Sequence, residues 1–259
     1  MIFFYDLLNA SKSWRVWSSL AKFDIIKRYK RSFLGPWWIT LTMAILILGI
    51  GILYSQLFKL DFKNYLLYLS INFTIWAFMR DSILESCQTL IEAKALLHNE
   101  KWNILIFTFR VIYKNFIIFL HNIIIFLILG IFLIDQLSII SVLMSISALF
   151  FLVIFLLPIC ILCSIINTRF RDFYMIISNI MQLLFFLSPI LFKKDLLLSF
   201  DWLLYINPLA LFLLMINEPI LTNQFNFSYL SYLTIYFIIC TCFTAFIFLR
   251  YKNKITYWL

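Results

Sequence analysis

The sequence predicts an all-α membrane protein with six transmembrane helices, an N-terminal amphipathic interface helix and a re-entrant hairpin between the last two spans. Three observations predict it. Of 259 residues, 64% are hydrophobic and 13% charged, about half the charge share of roughly 25% that soluble domains carry. Uncharged apolar runs recur at close to the roughly 20 residues that a helix needs to cross a bilayer. Lysine and arginine collect on alternate connections between those runs.

Residues 1–31 form the segment ahead of the first span. On a helical wheel Trp14, Trp17, Leu20 and Ala21 gather on one side, and Lys12, Arg15, Ser19 and Lys22 gather opposite. A short basic amphipathic helix with tryptophans on its apolar face lies in the membrane interface; a helix packed on a partner would share the pattern. Met1–Tyr5 is too short an apolar stretch for a cleaved signal peptide, so this end is expected to be retained. Residues 32–192 hold five spans. Ser32–Phe58 is uncharged and forms the first. Asn64–Met79, continuing through Arg80 and Asp81 towards Leu90, forms the second. After a loop at 91–104, a helical segment beginning near Trp102 leads into the third, Asn115–Ile134. Gln136–Thr168 is longer than one crossing requires, and its later part makes the fourth; Phe173–Phe192 makes the fifth.

Residues 193–228 contain Trp202–Asn217, which is uncharged but broken at Asn207-Pro208. Proline lacks a backbone donor and disfavours helix in the residue before it. Two short half-helices follow, and because lipid does not tolerate irregular backbone they must pack on protein or line a cavity. Tyr229–Leu249 is the sixth span, within a final segment 229–259.

The net charge is +9, and of 21 Lys and Arg only Lys59, Lys63, Lys193 and Lys194 fall on one side of this arrangement. The positive-inside rule therefore puts both termini in the cytoplasm. Basic residues spaced between apolar runs are topology signals, not a nucleic-acid patch. The four glycines, Gly35, Gly49, Gly51 and Gly130, cannot form a phosphate-cradling G-x-x-x-x-G-K-[ST] loop. No ATP site of that kind exists in the chain, and no cofactor or metal is expected. Cys160-x-x-Cys163 and Cys240-x-Cys242 lie inside apolar runs without a nearby histidine, and read as small apolar residues. Twelve scattered acids and two histidines, His98 and His121, argue against a membrane-embedded glycosyl- or acyltransferase.

Two polar faces stand out. Asn103, Arg110, Lys114 and His121 fall within about 40° of each other at 100° per residue. Such a stripe faces a pore, another helix, or headgroups to which Lys and Arg snorkel. Tyr65, Asn72, Trp76 and Arg80 make a second face. Its aromatics suit the apolar faces of pyranose rings, or equally an interfacial belt; Arg80 beside Asp81 can also be a self-neutralised pair.

Arg28-Tyr29-Lys30-Arg31-Ser32-Phe33-Leu34-Gly35-Pro36-Trp37-Trp38 resembles the R-Y-x-x-S-x-L-G-x-x-W element that opens the first span of polysaccharide and O-antigen ABC exporter permeases. Ile91-Glu92-Ala93 through Trp102 resembles the cytoplasmic loop of that family, and Tyr113–Asn122 its third span. Arg169-Phe170-Arg171-Asp172 is similar to the R-[FY]-R-D loop, Ser188-Pro189-Ile190 to the end of span five, and Asn207-Pro208 to the periplasmic hairpin. Six elements occur in family order between residue 28 and about 220.

The resemblance implies a permease in the bacterial inner membrane. Two copies would pair with two copies of a separate ATPase that binds the ATP, and together export a lipid-linked polysaccharide such as O-antigen; capsular polysaccharide or teichoic acid are alternatives. It implies a conduit, for which the two polar faces offer Tyr65, Asn72, Trp76, Arg80, Arg110, Lys114 and His121 as lining. A coupling element at 91–104 would meet the ATPase through Leu96, Leu97, His98, Glu100, Lys101 and Trp102. Arg28, Arg169, Arg171 and Asp172 would mark the cytoplasmic face, and Ser188, Pro189, Asn207 and Pro208 a periplasmic gate. One departure is that many relatives carry a proline in the coupling loop where this chain has Lys101-Trp102-Asn103.

Overall fold

The computed structural model describes residues 2–99, 102–133, 138–195 and 201–259, and these are helical apart from short connections. Helices α1 (Ile2–Lys12) and α2 (Trp14–Tyr29) are separated at Ser13. A turn follows in which Gly35 has φ +56°, a left-handed conformation that glycine adopts without steric cost. Then come α3 (Trp37–Leu57), α4 (Phe62–Glu92), α5 (Lys94–Asn99), α6 (Leu105–Leu133) and α7 (Ile139–Arg169). The chain continues through α8 (Phe173–Leu187), α9 (Trp202–Ile206), α10 (Pro208–Thr222) and α11 (Phe227–Tyr251). A 3₁₀ turn, Lys252–Lys254, and α12 (Ile255–Trp258) complete the described residues.

Among the described residues, four helices are long and apolar enough to cross a membrane: Trp37–Leu57, Leu105–Ile131, Ile139–Arg169 and Phe227–Trp258. Two of the six expected spans differ in kind. The 31 residues of α4 include Lys63, Arg80, Asp81, Glu85 and Glu92. The 15 residues of α8 rise about 22 Å, short of a hydrocarbon core of roughly 30 Å. The fifth apolar run was read through Phe192, but the helix stops at Leu187. Pro189 disfavours helix at Ser188, and the carbonyls beyond it accept from tyrosines on α4. Within the uncharged run 136–168, longer than a single crossing needs, the described residues from Ile139 onward form one helix that passes through Pro158.

α4 is the axis of the molecule. Every residue from Tyr65 to Trp76 is buried, with α3, α6, α7, α8 and α10 packed around it. α3 approaches it closely at Gly51, where a Cβ would lie 2.7 Å from Leu66 Cδ2. The break at Asn207-Pro208 falls where the sequence puts it. The Asn207 side chain accepts from the backbone N–H groups of Leu209 and Ala210 at 3.1 and 3.3 Å, and Pro208 occupies the first helical position, where its missing donor costs nothing. α10 then runs to Thr222, five residues past the expected end. Each residue from Leu209 to Pro219 is buried, so this short helix is core.

A second apolar cluster closes one end of the bundle. Phe3 and Ala10 of α1, Leu97 of α5, Leu105 and Phe107 of α6, Phe248 of α11 and Ile255 of α12 meet there. An ion pair joins Lys252 to Asp6, and the Arg169 guanidinium lies 5.4 Å over the Trp258 ring. The first and last helices thus sit at the same end.

Candidate functional site: a groove along the central helix

The apolar faces of α3 and α8 that turn away from α4 have no neighbour among the described residues. Ile45, Leu48 and Ile52 on α3 and Ile180, Leu183 and Phe186 on α8 are exposed. Between these helices and α4 runs a groove of about 710 Å³. Its middle is aromatic: Phe185 lies 5.6 Å from Phe73 and 5.9 Å from Trp76, centroid to centroid. Ser178 and Gln182 add hydrogen-bonding groups from α8, and Arg80, Asp81 and Glu85 form a charged end. Arg80 Nε donates to Asp81 Oδ1 at 2.8 Å.

Glu85 connects this groove to a smaller space of about 130 Å³ beside α2 and α6. Its Oε2 accepts from Lys114 at 2.8 Å and from the Asn115 amide at 2.6 Å. One turn away, Arg110 Nε and Nη2 donate to the two carboxylate oxygens of Asp24 on α2, both at 2.6 Å. This two-pronged geometry is the strongest that a guanidinium offers a carboxylate. Asn103 Nδ2 donates to the Asp6 carbonyl at 2.8 Å. The polar stripe of α6 is therefore a seam that holds α1, α2 and α4. His121 sits farther along, with Nδ1 2.9 Å from the Ile117 carbonyl and its ring edge-on to Trp37 at 6.4 Å.

The second predicted face divides. Trp76 and Arg80 line the groove. Asn72 turns instead into the core, where it meets Asn217 of α10. Tyr65 donates its hydroxyl to the Leu191 carbonyl at 2.5 Å, and Tyr68 donates to Pro189 and Phe192 at 2.5 and 2.6 Å. These tyrosines hold the turn after α8. Ser188 and Asn207, both read as gate residues, do meet: Asn207 Nδ2 donates to Ser188 Oγ at 2.9 Å. Pro189 and Pro208 sit beside them.

In the loop after α4, Leu96 and His98 face outward, whereas Leu97 is 7% exposed and belongs to the end cluster. Trp102 is half-buried beside it. Glu100 and Lys101 lie outside the described residues. Arg28, Arg169, Arg171 and Asp172 are exposed, and Asp172 begins α8 without a side-chain cap.

Four polar residues that sequence reasoning passed over organise these regions: Glu85, Asn167, Asn217 and Glu218. Asn167 donates to the Cys87 carbonyl at 2.8 Å and accepts from Tyr174 N at 2.9 Å, which fixes the α7–α8 turn. Glu85 and Glu218 carried a signal, being charged residues embedded in or abutting apolar runs. The asparagines carried none.

No protein-family model matches the chain. Two curated relatives from Klebsiella pneumoniae, each described as "O-antigen export system permease protein RfbA", are 34% and 32% identical to it over 103 residues. The aligned stretch spans 39% of this chain and 40% of each relative. These matches support the resemblance carried by the motifs: over about two-fifths of its length the chain is similar to permeases of O-antigen export.

Proposed function

We propose that this chain is the membrane permease of an ATP-driven exporter of lipid-linked polysaccharide, of the O-antigen kind, in the bacterial inner membrane. The observation that carries the proposal is the groove between α3, α4 and α8. It has an aromatic middle and a charged end, and it opens on apolar faces left uncovered, in a chain similar to O-antigen export permeases. Two copies face each other across these grooves and enclose the conduit. Sugar rings slide along Trp76, Phe73 and Phe185, while Arg80, Asp81 and Gln182 exchange hydrogen bonds with passing hydroxyls.

In this reading α3, α4, α6, α7, α8 and α11 are the six spans. The short α8 crosses together with the turn segment that follows it. α2 lies at the cytoplasmic interface, and α9 and α10 form the re-entrant hairpin from the periplasmic side. Two ATPase subunits dock on the cytoplasmic end, where residues 91–104 couple nucleotide hydrolysis to the bundle. No step of the chemistry belongs to this chain; its work is binding and movement.

Deletion of the gene tests the proposal. Lipid-linked glycan should accumulate on the cytoplasmic side of the inner membrane and return to the surface on complementation. Normal surface glycan in the deletion strain would refute it.

A further inference from the structure

At the far end of α4 from the charged network, a second cleft of about 660 Å³ opens between α4, α10 and the segment after α8. Its volume is in the range of small-molecule sites. The charges on its lining balance, Lys193 and Lys194 against Asp195 and Glu218. A cleft that balanced has no preference for an anion or a cation. What distinguishes it is the density of neutral hydrogen-bonding groups, from Asn64, Tyr68, Asn217 and Gln224, in a chain that is elsewhere overwhelmingly apolar.

Glu218 sits at its back with 9% of its side chain exposed. Its Oε1 accepts from Lys194 and, at 3.4 Å, from the Tyr229 hydroxyl. Burial alone would lower the Lys194 pKa; the hydrogen bond and charge of Glu218 turn the shift upward, so the ammonium keeps its proton. The carboxylate's other oxygen, Oε2, has no hydrogen-bond donor among the described residues. Neither has Asn217 Oδ1, although the Nδ2 of the same amide is committed to Asn72. Both residues line the cleft, so these two acceptors are open to donors from within it, and with amide groups at the rim they suit a ligand rich in hydroxyls.

We propose that this cleft binds a short, uncharged stretch of saccharide, two acceptors at its back taking sugar hydroxyls and the rim amides of Asn64 and Gln224 bonding the outer ones. The inference rests on the export reading, and under it the site holds the emerging glycan on the outer side of the membrane. The cleft is apart from the groove and shares no lining residue with it.

The test uses the full chain purified into nanodiscs and a panel of neutral hexose and N-acetylhexosamine oligosaccharides of defined length. Saturation-transfer NMR should show ring protons of at least one sugar receiving magnetisation. Affinity should fall by at least about tenfold in Glu218→Gln, the loss expected for one hydrogen bond to a charged group. Asn64 and Gln224 are exposed, so Asn64→Ala/Gln224→Ala should weaken binding with the melting temperature unchanged, and this variant decides the matter if Glu218→Gln folds poorly. Transfer to none of the sugars, or transfer undiminished in both variants, overturns the site. The outcome is separable from the export reading: a deletion strain that stops exporting glycan, with a purified protein that binds no sugar, sinks the cleft alone.

Discussion

Asn217 on α10 donates through Nδ2 to Asn72 Oδ1 on α4 at 2.6 Å, a bond between two fully buried amides 145 residues apart. Asn72 in turn donates to the Tyr68 carbonyl at 2.9 Å, and Ser145 of α7 donates to the Ile216 carbonyl at 2.7 Å. The pair clamps the short helix α10 to the axis of the bundle. Asn217→Leu strands a buried acceptor and should lower stability by about 1–3 kcal/mol. Asn72→Leu/Asn217→Leu should recover part of that loss. Thermal unfolding of the wild type, Asn72→Leu, Asn217→Leu and the double variant in detergent gives the coupling; strictly additive losses would show that the bond contributes nothing.

The Asp24–Arg110 pair fastens α2 to α6, with Trp17 stacked on Phe109 at 5.9 Å beside it. Removing either charge leaves the other half-buried and unpaired. In Arg110→Ala, amide hydrogen exchange across Trp14–Tyr29 should quicken at least about tenfold while α7 keeps its protection. Asp24→Arg/Arg110→Asp should restore slow exchange. If α2 exchanges at the wild-type rate in Arg110→Ala, the stacked rings alone hold it.

Six spans with cytoplasmic termini require Lys193 and Lys254, both exposed, to lie on opposite sides of the membrane. A cysteine at Lys193 should react with an impermeant maleimide added to intact spheroplasts. One at Lys254 should react only after permeabilisation. The reverse pattern would invert the arrangement.

The loop after α4 separates surface from core at adjacent positions. Under the proposed function, Leu96→Asp and His98→Asp should abolish co-purification of the proposed ATPase partner with the melting temperature preserved, since both side chains face outward. Leu97→Asp buries a charge in the end cluster and should instead reduce the amount of folded protein. ATPase recovery unaffected by changes at 96 and 98 would remove this loop from the interface.

At Gly51, alanine forces the flexible end of Leu66 aside, because the added Cβ lies 2.7 Å from its Cδ2. Gly51→Val should destabilise the α3–α4 contact by about 1–3 kcal/mol, the usual cost of overpacking. Leu66→Ala should relieve it. A Gly51→Val protein as stable as wild type would mean that the helices part easily.

The sequence was most informative where physics acts locally. Asn207-Pro208 announced a helix start, since an asparagine cap and a proline at the first position need no tertiary context. Apolar length located α3, α6, α7 and α11. It does not say what surrounds α4, because periodicity distinguishes faces only when one face is wet or lipid-facing, and most of this helix is enclosed. Tyr65, Asn72, Trp76 and Arg80 look like one stripe on a wheel, yet each meets a different neighbour. In the same way, the α6 stripe pointed correctly to contacts, but nothing in its spacing could identify Asp24, 86 residues earlier, as the partner of Arg110. The charged residues that anchor the candidate sites were visible as anomalies; the asparagines that orient them were not.

The ion pair between Asp6 and Lys252 spans 246 positions, and Phe3 rests on Phe248, ring to ring, at 5.4 Å. Ribosomes add about 5–20 residues per second, so Asp6 has been made for tens of seconds before Lys252 exists. Throughout that interval the apolar side of the first helix can reach Leu105 and Phe107 of α6 but lacks the part of its seat that Phe248 and Ile255 supply. Assembly of this end is thus timed by translation: the earliest helix waits for the latest, and a nascent chain interrupted before residue 248 would display Phe3 to whatever chaperone or protease arrives first.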